Sequence, residues 1–259
     1  MKKILLILSL SLFCLPSNAQ WGKKIRGNGK TITQVRNVGD YDQLKISGFF
    51  DTTLVYGREG SVELKGESNL LDNIDVYVDT TGELNIKTKR LIELIPSRKT
   101  PILITIPVKD MDAMTLSGSG SITSKFRIES PKFKTVLSGS GDIYAAIDAT
   151  QLGVTISGSG DVEMDVNASE VSIAISGSGD ASLEGSTNSL DVKIAGSGDV
   201  HAFDLSTKIA TVAITGSADT SVNVSDQLQV RIAGSGDVHY IGNPKVDSKI
   251  LGSGDLIKN

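Results

Sequence analysis

Gly158-Ser159-Gly160-Asp161-Val162 recurs whole at residues 196–200 and 234–238. Near copies begin at Gly118, Gly139, Gly177, Gly216 and Gly252. The steps between successive first glycines are 21, 19, 19, 19, 20, 18 and 18 residues. Self-similarity at so regular a period, without heptads or helix caps, marks a stacked repeat. Each copy then supplies one coil of a solenoid.

The residues between the copies fix which way the coil faces. Val154, Ile156, Gly158, Gly160, Val162, Met164 and Val166 alternate with polar side chains, and the next copy repeats this with Val171, Ile173, Ile175, Gly177, Gly179, Ala181 and Leu183. Period two puts these on one face, which must be the interior. Ser157, Ser159 and Asp161 point outward. The glycines read as inward bend positions, where a side chain would meet the core and where backbone angles closed to other residues are needed. Ala218 is the smallest departure from that rule. Asn167-Ala168-Ser169 and Ser186-Thr187-Asn188 read as short turns. Coils spaced ~4.8 Å apart give a stack of roughly 34 Å over seven steps. Parallel crossovers are right-handed. The expected fold is all-β: a right-handed parallel β-helix with coils of 18–21 residues and a more elaborate N-terminal β part.

Upstream of the repeat the chain divides further. Lys2-Lys3, an apolar run over residues 4–15 and the small Ala19 form a secretory signal peptide over 1–19, with cleavage expected between Ala19 and Gln20. The run is shorter than the ~20 residues a spanning helix needs. Lipidation at Cys14 is the alternative, against which stands the bulky Phe13. Cleavage at Ala19 removes the one cysteine, and with it disulfides and thiol chemistry. Loss of Lys2 and Lys3 takes the formal charge from −4 to −6. No basic patch appears, so a nucleic-acid partner is not expected.

Residues 20–38 read as a flexible N-terminal segment, 39–110 as degenerate coils and 111–259 as regular ones. Leu44-Lys45-Ile46-Ser47-Gly48-Phe49-Phe50-Asp51 aligns with the repeat and reads as a diverged first coil. Val62-Glu63-Leu64 is a short strand, and residues 67–74 one helical turn capped by Ser68 or Asn69. A hairpin turns at Asp79-Thr80-Thr81-Gly82, and residues 90–98 form a loop. Ile102-Leu103-Ile104-Thr105-Ile106 is a buried strand that Pro107 stops.

Ile46-Ser47-Gly48-Phe49-Phe50-Asp51, Asn69-Leu70-Leu71, Gly82-Glu83-Leu84-Asn85-Ile86 and the serial Gly-Ser-Gly-Asp copies together resemble a family of secreted bacterial proteins, the autotransporter adhesins with a "head GIN" domain. The resemblance runs from about residue 38 to the end. It implies a β-helix with an elaborated N-terminal part over 39–259 and an envelope or extracellular setting in Bacteroidetes-type bacteria. It carries no catalytic residues.

The outward residues form the candidate site: Ser159, Asp161, Ser178, Asp180, Ser197, Asp199, Ser235 and Asp237, within an aspartate ladder that also includes Asp51, Asp142, Asp219 and Asp255. Two readings stand. Turn amides bond each carboxylate, or the ladder holds a cation or ligand. Stacked carboxylates ~5 Å apart repel by roughly 0.8 kcal/mol per pair even in water. The calcium β-roll uses Gly-Gly-x-Gly-x-Asp nonapeptides in consecutive turns. Here Asp follows the second glycine at once, so calcium is expected to shift melting by less than a degree. A clear rise with micromolar calcium would contradict this.

His201 and His239 occupy equivalent places two coils apart, ~9.6 Å along the axis, too far to share a zinc with bonds of ~2.1 Å. No metal or cofactor is expected. Gly-Ser-Gly lacks the strand-to-helix setting of a nucleophile elbow and the Lys-Ser/Thr of a phosphate loop. The expected function is that of a secreted, non-enzymatic envelope protein, an adhesin or structural binding surface whose partner is a glycan or envelope protein. The alternative is a carbohydrate-active β-helix enzyme, against which the short turns argue. A third expectation is self-association through the C-terminal edge at Gly252-Ser253-Gly254-Asp255, since unpaired edges invite strands.

Overall fold

The computed structural model describes residues 22–98 and 100–259, so the expected cleavage point at Ala19 and Gln20 lies outside the described residues. The N-terminal part holds β1 (Lys23–Arg26), β2 (Thr31–Asn37), β3 (Gln43–Gly48), β4 (Asp51–Tyr56), β5 (Ser61–Glu67), α1 (Ser68–Leu71), β6 (Ile74–Val78), β7 (Glu83–Thr88), β8 (Ile92–Ile95) and β9 (Leu103–Val108). The regular part holds β10 (Ala113–Gly118), β11 (Ser121–Gly139), β12 (Asp142–Gly158), β13 (Val162–Gly177), β14 (Ala181–Gly196), β15 (Val200–Gly216), β16 (Thr220–Gly234), β17 (Val238–Ile241), β18 (Lys245–Gly252) and β19 (Leu256–Lys258).

The repeat phrases stack one on another in parallel. Gly118 faces Gly139, then Gly158, Gly177, Gly196, Gly216, Gly234 and Gly252 in turn. The chain is thus a β-solenoid of about eight turns. Inside it, identical positions form columns: Ile156, Ile175, Ile194, Ile214 and Ile232 lie in register and all are buried. Each such burial contributes about 1.5–3 kcal/mol. That column, with the inter-coil backbone bonds, holds the stack together.

A coil of odd length cannot alternate strictly and still present the same side chains inward in the next turn. It must slip phase once. In β13 the slip falls at Ser169 and Glu170, both exposed between buried Ala168 and Val171. This corrects the turn reading of Asn167-Ala168-Ser169. Asn167 and Ala168 stay paired with Ser186 and Thr187, and Thr187 is itself buried. Ser169 alone drops out of the pairing at the slip, and the ladder resumes with Glu170 opposite Ser189.

The glycines also need a sharper account. Gly177 has φ +127°, and a Cβ there would lie 2.3 Å from the carbonyl oxygen of Gly158 in the coil beneath. A Cβ on Gly179 would lie 2.2 Å from Gly160 O and 2.9 Å from the buried Ile156 Cγ2. The core is part of the obstacle at the second position. The backbone of the neighbouring coil is the main one at both.

The N-terminal part departs most from expectation. β3 faces β10 with Gly48 opposite Gly118, so the diverged copy is a true coil. It is not the end of the stack, because β7 and β9 pair beneath β3 and β4. The later segment therefore lies lower in space and closes that end. β5 runs antiparallel to β9, β2 antiparallel to β5, and β6 and β7 form the expected hairpin. The segment read as flexible carries β1 and β2 instead. β1 pairs in parallel with β8, which lies inside the segment read as a loop. β9 runs on through Pro107, which sits opposite Val55. Glu67, not Ser68 or Asn69, takes the N-cap position of α1, and it makes no side-chain cap bond there.

Candidate binding surfaces

The Ser-Asp corner is built by the glycines that precede each aspartate. Ser159, Ser178, Ser197 and Ser235 are exposed. Their backbone amides hold the stack: Ser178 N–H donates to Gly158 O at 2.8 Å and Ser197 N–H to Gly177 O at 2.8 Å. The aspartates do the same with their side chains. Oδ1 of Asp161 accepts from Asp180 N–H (3.1 Å), Asp180 from Asp199 (2.8 Å) and Asp199 from Asp219 (2.7 Å). Asp219 and Asp237 continue the run, accepting from Asp237 and Asp255 at 2.8 Å each. Each aspartate carbonyl also accepts from the coil below, as Val162 N–H donates to Asp180 O at 2.9 Å. The bonded amide lies in the next coil, not in the carboxylate's own turn. Lower in the stack the pattern differs: Asp142 and Asp161 donate to glycine carbonyls, and Asp51 accepts from the Ser121 hydroxyl at 3.3 Å.

A stability test separates acceptor from charge at this ladder. Asp199→Asn keeps an oxygen acceptor for Asp219 N–H and should leave the unfolding midpoint within the equivalent of about 0.5 kcal/mol. Asp199→Ala removes the acceptor of this exposed bond and should cost about 1 kcal/mol by denaturant unfolding. Equal losses in both would mean that charge, not the bond, is what matters.

His201 faces Ser221, which faces His239, so the two imidazoles are two coils apart. Among the described residues no group of three or more His, Asp or Glu is placed to hold a metal ion.

Several concavities flank the stack, of which two bear on binding, and the sequence reading named neither. The larger, about 1110 Å³, follows the phase-slip corner past Asp148, Asn167, Ser186 and Lys208. It has no aromatic lining, and its side chains bond one another, as Ser186 Oγ does to Asn167 at 3.3 Å. The smaller, about 630 Å³, lies over the first halves of β12, β13, β14 and β15 and is lined by Tyr144, Glu163, Asp165, Glu184, His201 and Phe203 among others. Arg127 bridges Asp148 at 2.9 Å and Asp165 at its edge. Asp142 beside Tyr144, partial burial, and then Glu163 hold the Tyr144 hydroxyl above its ordinary pKa.

Fold and corner together define a parallel β-solenoid whose coils are joined by Gly-Ser-Gly-Asp corners and whose N-terminal end is folded over. The family described as "Putative auto-transporter adhesin, head GIN domain" matches residues 40–164 and 152–244, and the chain belongs to it. A crystal structure from Parabacteroides distasonis ATCC 8503, named a "putative lipid binding protein", is similar with TM-score 0.86 and 26% identity, over 92% of this chain and 100% of that one. A "putative adhesin" from Parabacteroides merdae ATCC 43184 has TM-score 0.85 at 20% identity, over 92% and 99% of the two chains. A second P. distasonis "putative adhesin" has TM-score 0.83 at 23% identity, over 92% and 100%. The latter two speak to the fold alone. No curated protein matches the chain.

Proposed function

We propose that this protein is an exported, non-enzymatic binding protein of the cell envelope, whose rigid solenoid flank holds a glycan. The observation that carries this reading is a stack of coils in exact vertical register whose outward side chains repeat at a fixed ~4.8 Å spacing. A surface so spaced suits a long polymer better than a compact metabolite. Membership of an adhesin family supports it, and no helix among the described residues is long and apolar enough to cross a membrane.

A glycan array with the purified protein tests the reading, with the same samples assayed for released reducing ends. Binding without release is the expected result. Release of reducing ends would favour the alternative of a carbohydrate-active enzyme. Binding to phospholipid vesicles and to no glycan would turn the reading toward the lipid-binding name of the P. distasonis structure. Export is tested separately. Expression with the native leader should yield a protein beginning at Gln20, and an intact Met1 would contradict the signal peptide.

A further inference from the structure

We infer that the glycan occupies the trough floored by β12, β13 and β14, not the Ser-Asp corner, and that the chain it holds lacks acidic groups. This deepens the binding reading and rests on it.

The trough follows from the coil lengths. Three 19-residue steps lie between one of 21 and one of 20. The surplus residues are not spread evenly; they bulge at two places on one flank. In β11 the pairing jumps from Thr123–Tyr144 to Arg127–Ala146, so Ser124, Lys125 and Phe126 stand against Ala145 alone. In β15 it jumps from Ser182–His201 to Gly185–Leu205, so Ala202, Phe203 and Asp204 stand against Leu183 and Glu184. The next coil lacks a counterpart there too, since Ala202–Val222 is followed by Ser206–Asn223. A bulge pushes chain out of the sheet plane. Two of them, with three plain coils between, make end walls for a shallow trench.

The floor and walls carry complementary chemistry. Tyr144, 41% exposed, stands at one end of the floor, and half-buried Phe203 belongs to the opposite wall. Register places their coils three steps apart, ~14 Å. Ala145 and Ala146, both small, line the space beside Tyr144. Flat rings of this kind pack against the apolar faces of a polymer. Between them run two columns of polar groups. Tyr144, Glu163, Ser182 and His201 form one, and Asp165 and Glu184 lie side by side in the other. Ionised carboxylates are acceptors that take two hydroxyl donors each, and Arg127 fixes the orientation of Asp165. Concavity, paired rings and a few placed polar groups are the usual makings of a ligand site. The larger corner groove has neither rings nor end walls.

The sign of the charge narrows the occupant. Glu163, Glu184 and Asp204 all line the space. Arg127 is spent on Asp148 and Asp165, so the trough repels carboxylated or sulfated chains.

The test uses the full mature chain on an array carrying neutral, amine-bearing, uronate-rich and sulfated glycans. Wild type is compared with Tyr144→Ala, Glu184→Gln and the corner variant Asp161→Asn/Asp180→Asn/Asp199→Asn. Each variant is first shown to melt as wild type does. Binding to neutral or amine-bearing chains, at least tenfold weaker in both Tyr144→Ala and Glu184→Gln and unchanged in the corner variant, is the expected result. Unchanged binding in both trough variants, or loss in the corner variant alone, overturns the trough site while leaving the binding reading in place. Preference for sulfated or uronate chains overturns the charge argument. No binding by wild type to any glycan overturns both this inference and the reading it rests on.

Discussion

Gly177→Ala should destabilise the protein by about 3 kcal/mol, while Ser178→Ala beside it changes stability by no more than about 0.5 kcal/mol. Two effects add at the glycine. Its φ of +127° is strained for any residue with a Cβ. The new methyl would also lie 2.3 Å from Gly158 O, the same oxygen that accepts Ser178 N–H at 2.8 Å. Relieving the clash by lifting one coil weakens that bond and its neighbours along the β12–β13 interface, one term in the sum of neighbour interfaces that stabilises a solenoid. The second glycine differs in kind. Gly179 shows no positive φ and faces only a space constraint, and Ala218 already stands at the equivalent place, fully buried. Gly179→Ala should therefore cost less, about 1–2 kcal/mol. Denaturant midpoints of the three variants decide the order. A Gly177→Ala midpoint equal to that of Ser178→Ala would refute the account.

The solenoid was readable because two signals agreed over many copies: a phrase at near-constant steps, and apolar alternation that keeps its phase through the glycines. Residues such as Ile175 and Ser178 need no tertiary information to be placed. Two things were hidden for physical reasons. The order of the end coils depends on β7 and β9 passing beneath β3 and β4, a long-range pairing with no local pattern. The bond from Asp199 Oδ1 to Asp219 N–H joins residues 20 apart, and spacing alone does not tell it from a turn bond. The trough walls were within reach, since the 21- and 20-residue steps announce surplus chain. What the steps do not say is where in the coil the surplus bulges. Phe126 and Phe203, aromatic residues in otherwise small and polar links, were the available clue.

Glu67 is the residue whose importance is least visible in the sequence, and its loss should be felt as strongly as that of a corner glycine. It is fully buried. Its Oε1 accepts from Gly29 N–H at 2.5 Å and from the Ser97 hydroxyl at 2.7 Å, and its Oε2 from Ser97 N–H at 2.8 Å. One carboxylate thus ties the β1–β2 link to the segment after β8. Gly27 makes room for it, since a Cβ there would fall 1.9 Å from Oε2. Neighbouring bonds tighten the same junction: Asn69 Nδ2 donates to Arg26 O at 2.7 Å and Ser68 N–H to Lys30 O at 3.0 Å. These contacts order a stretch whose composition alone reads as flexible. The Ser97 N–H bond, followed by the Ser97 hydroxyl and Gly29 N–H, holds the Glu67 carboxyl below its ordinary pKa against the opposing effect of burial. A depressed folded pKa means stability that is present above the unfolded value of about 4.3 and lost as pH falls through the lower folded value. Glu67→Gln places an amide NH₂ among three donors and should cost about 2–4 kcal/mol at pH 7. The gap between wild type and Glu67→Gln should narrow from pH 7 to pH 3, by up to about 1.8 kcal/mol, because the single proton involved is worth at most about 1.4 kcal/mol per pH unit below the unfolded value. Comparing the pair cancels the titration of the corner aspartates, which both proteins share. Urea unfolding of both proteins at pH 7 and pH 3 measures this. A gap of the same size at both pH values would show that Glu67 acts through shape alone, and no gap at pH 7 would remove it from the stability of the N-terminal cap.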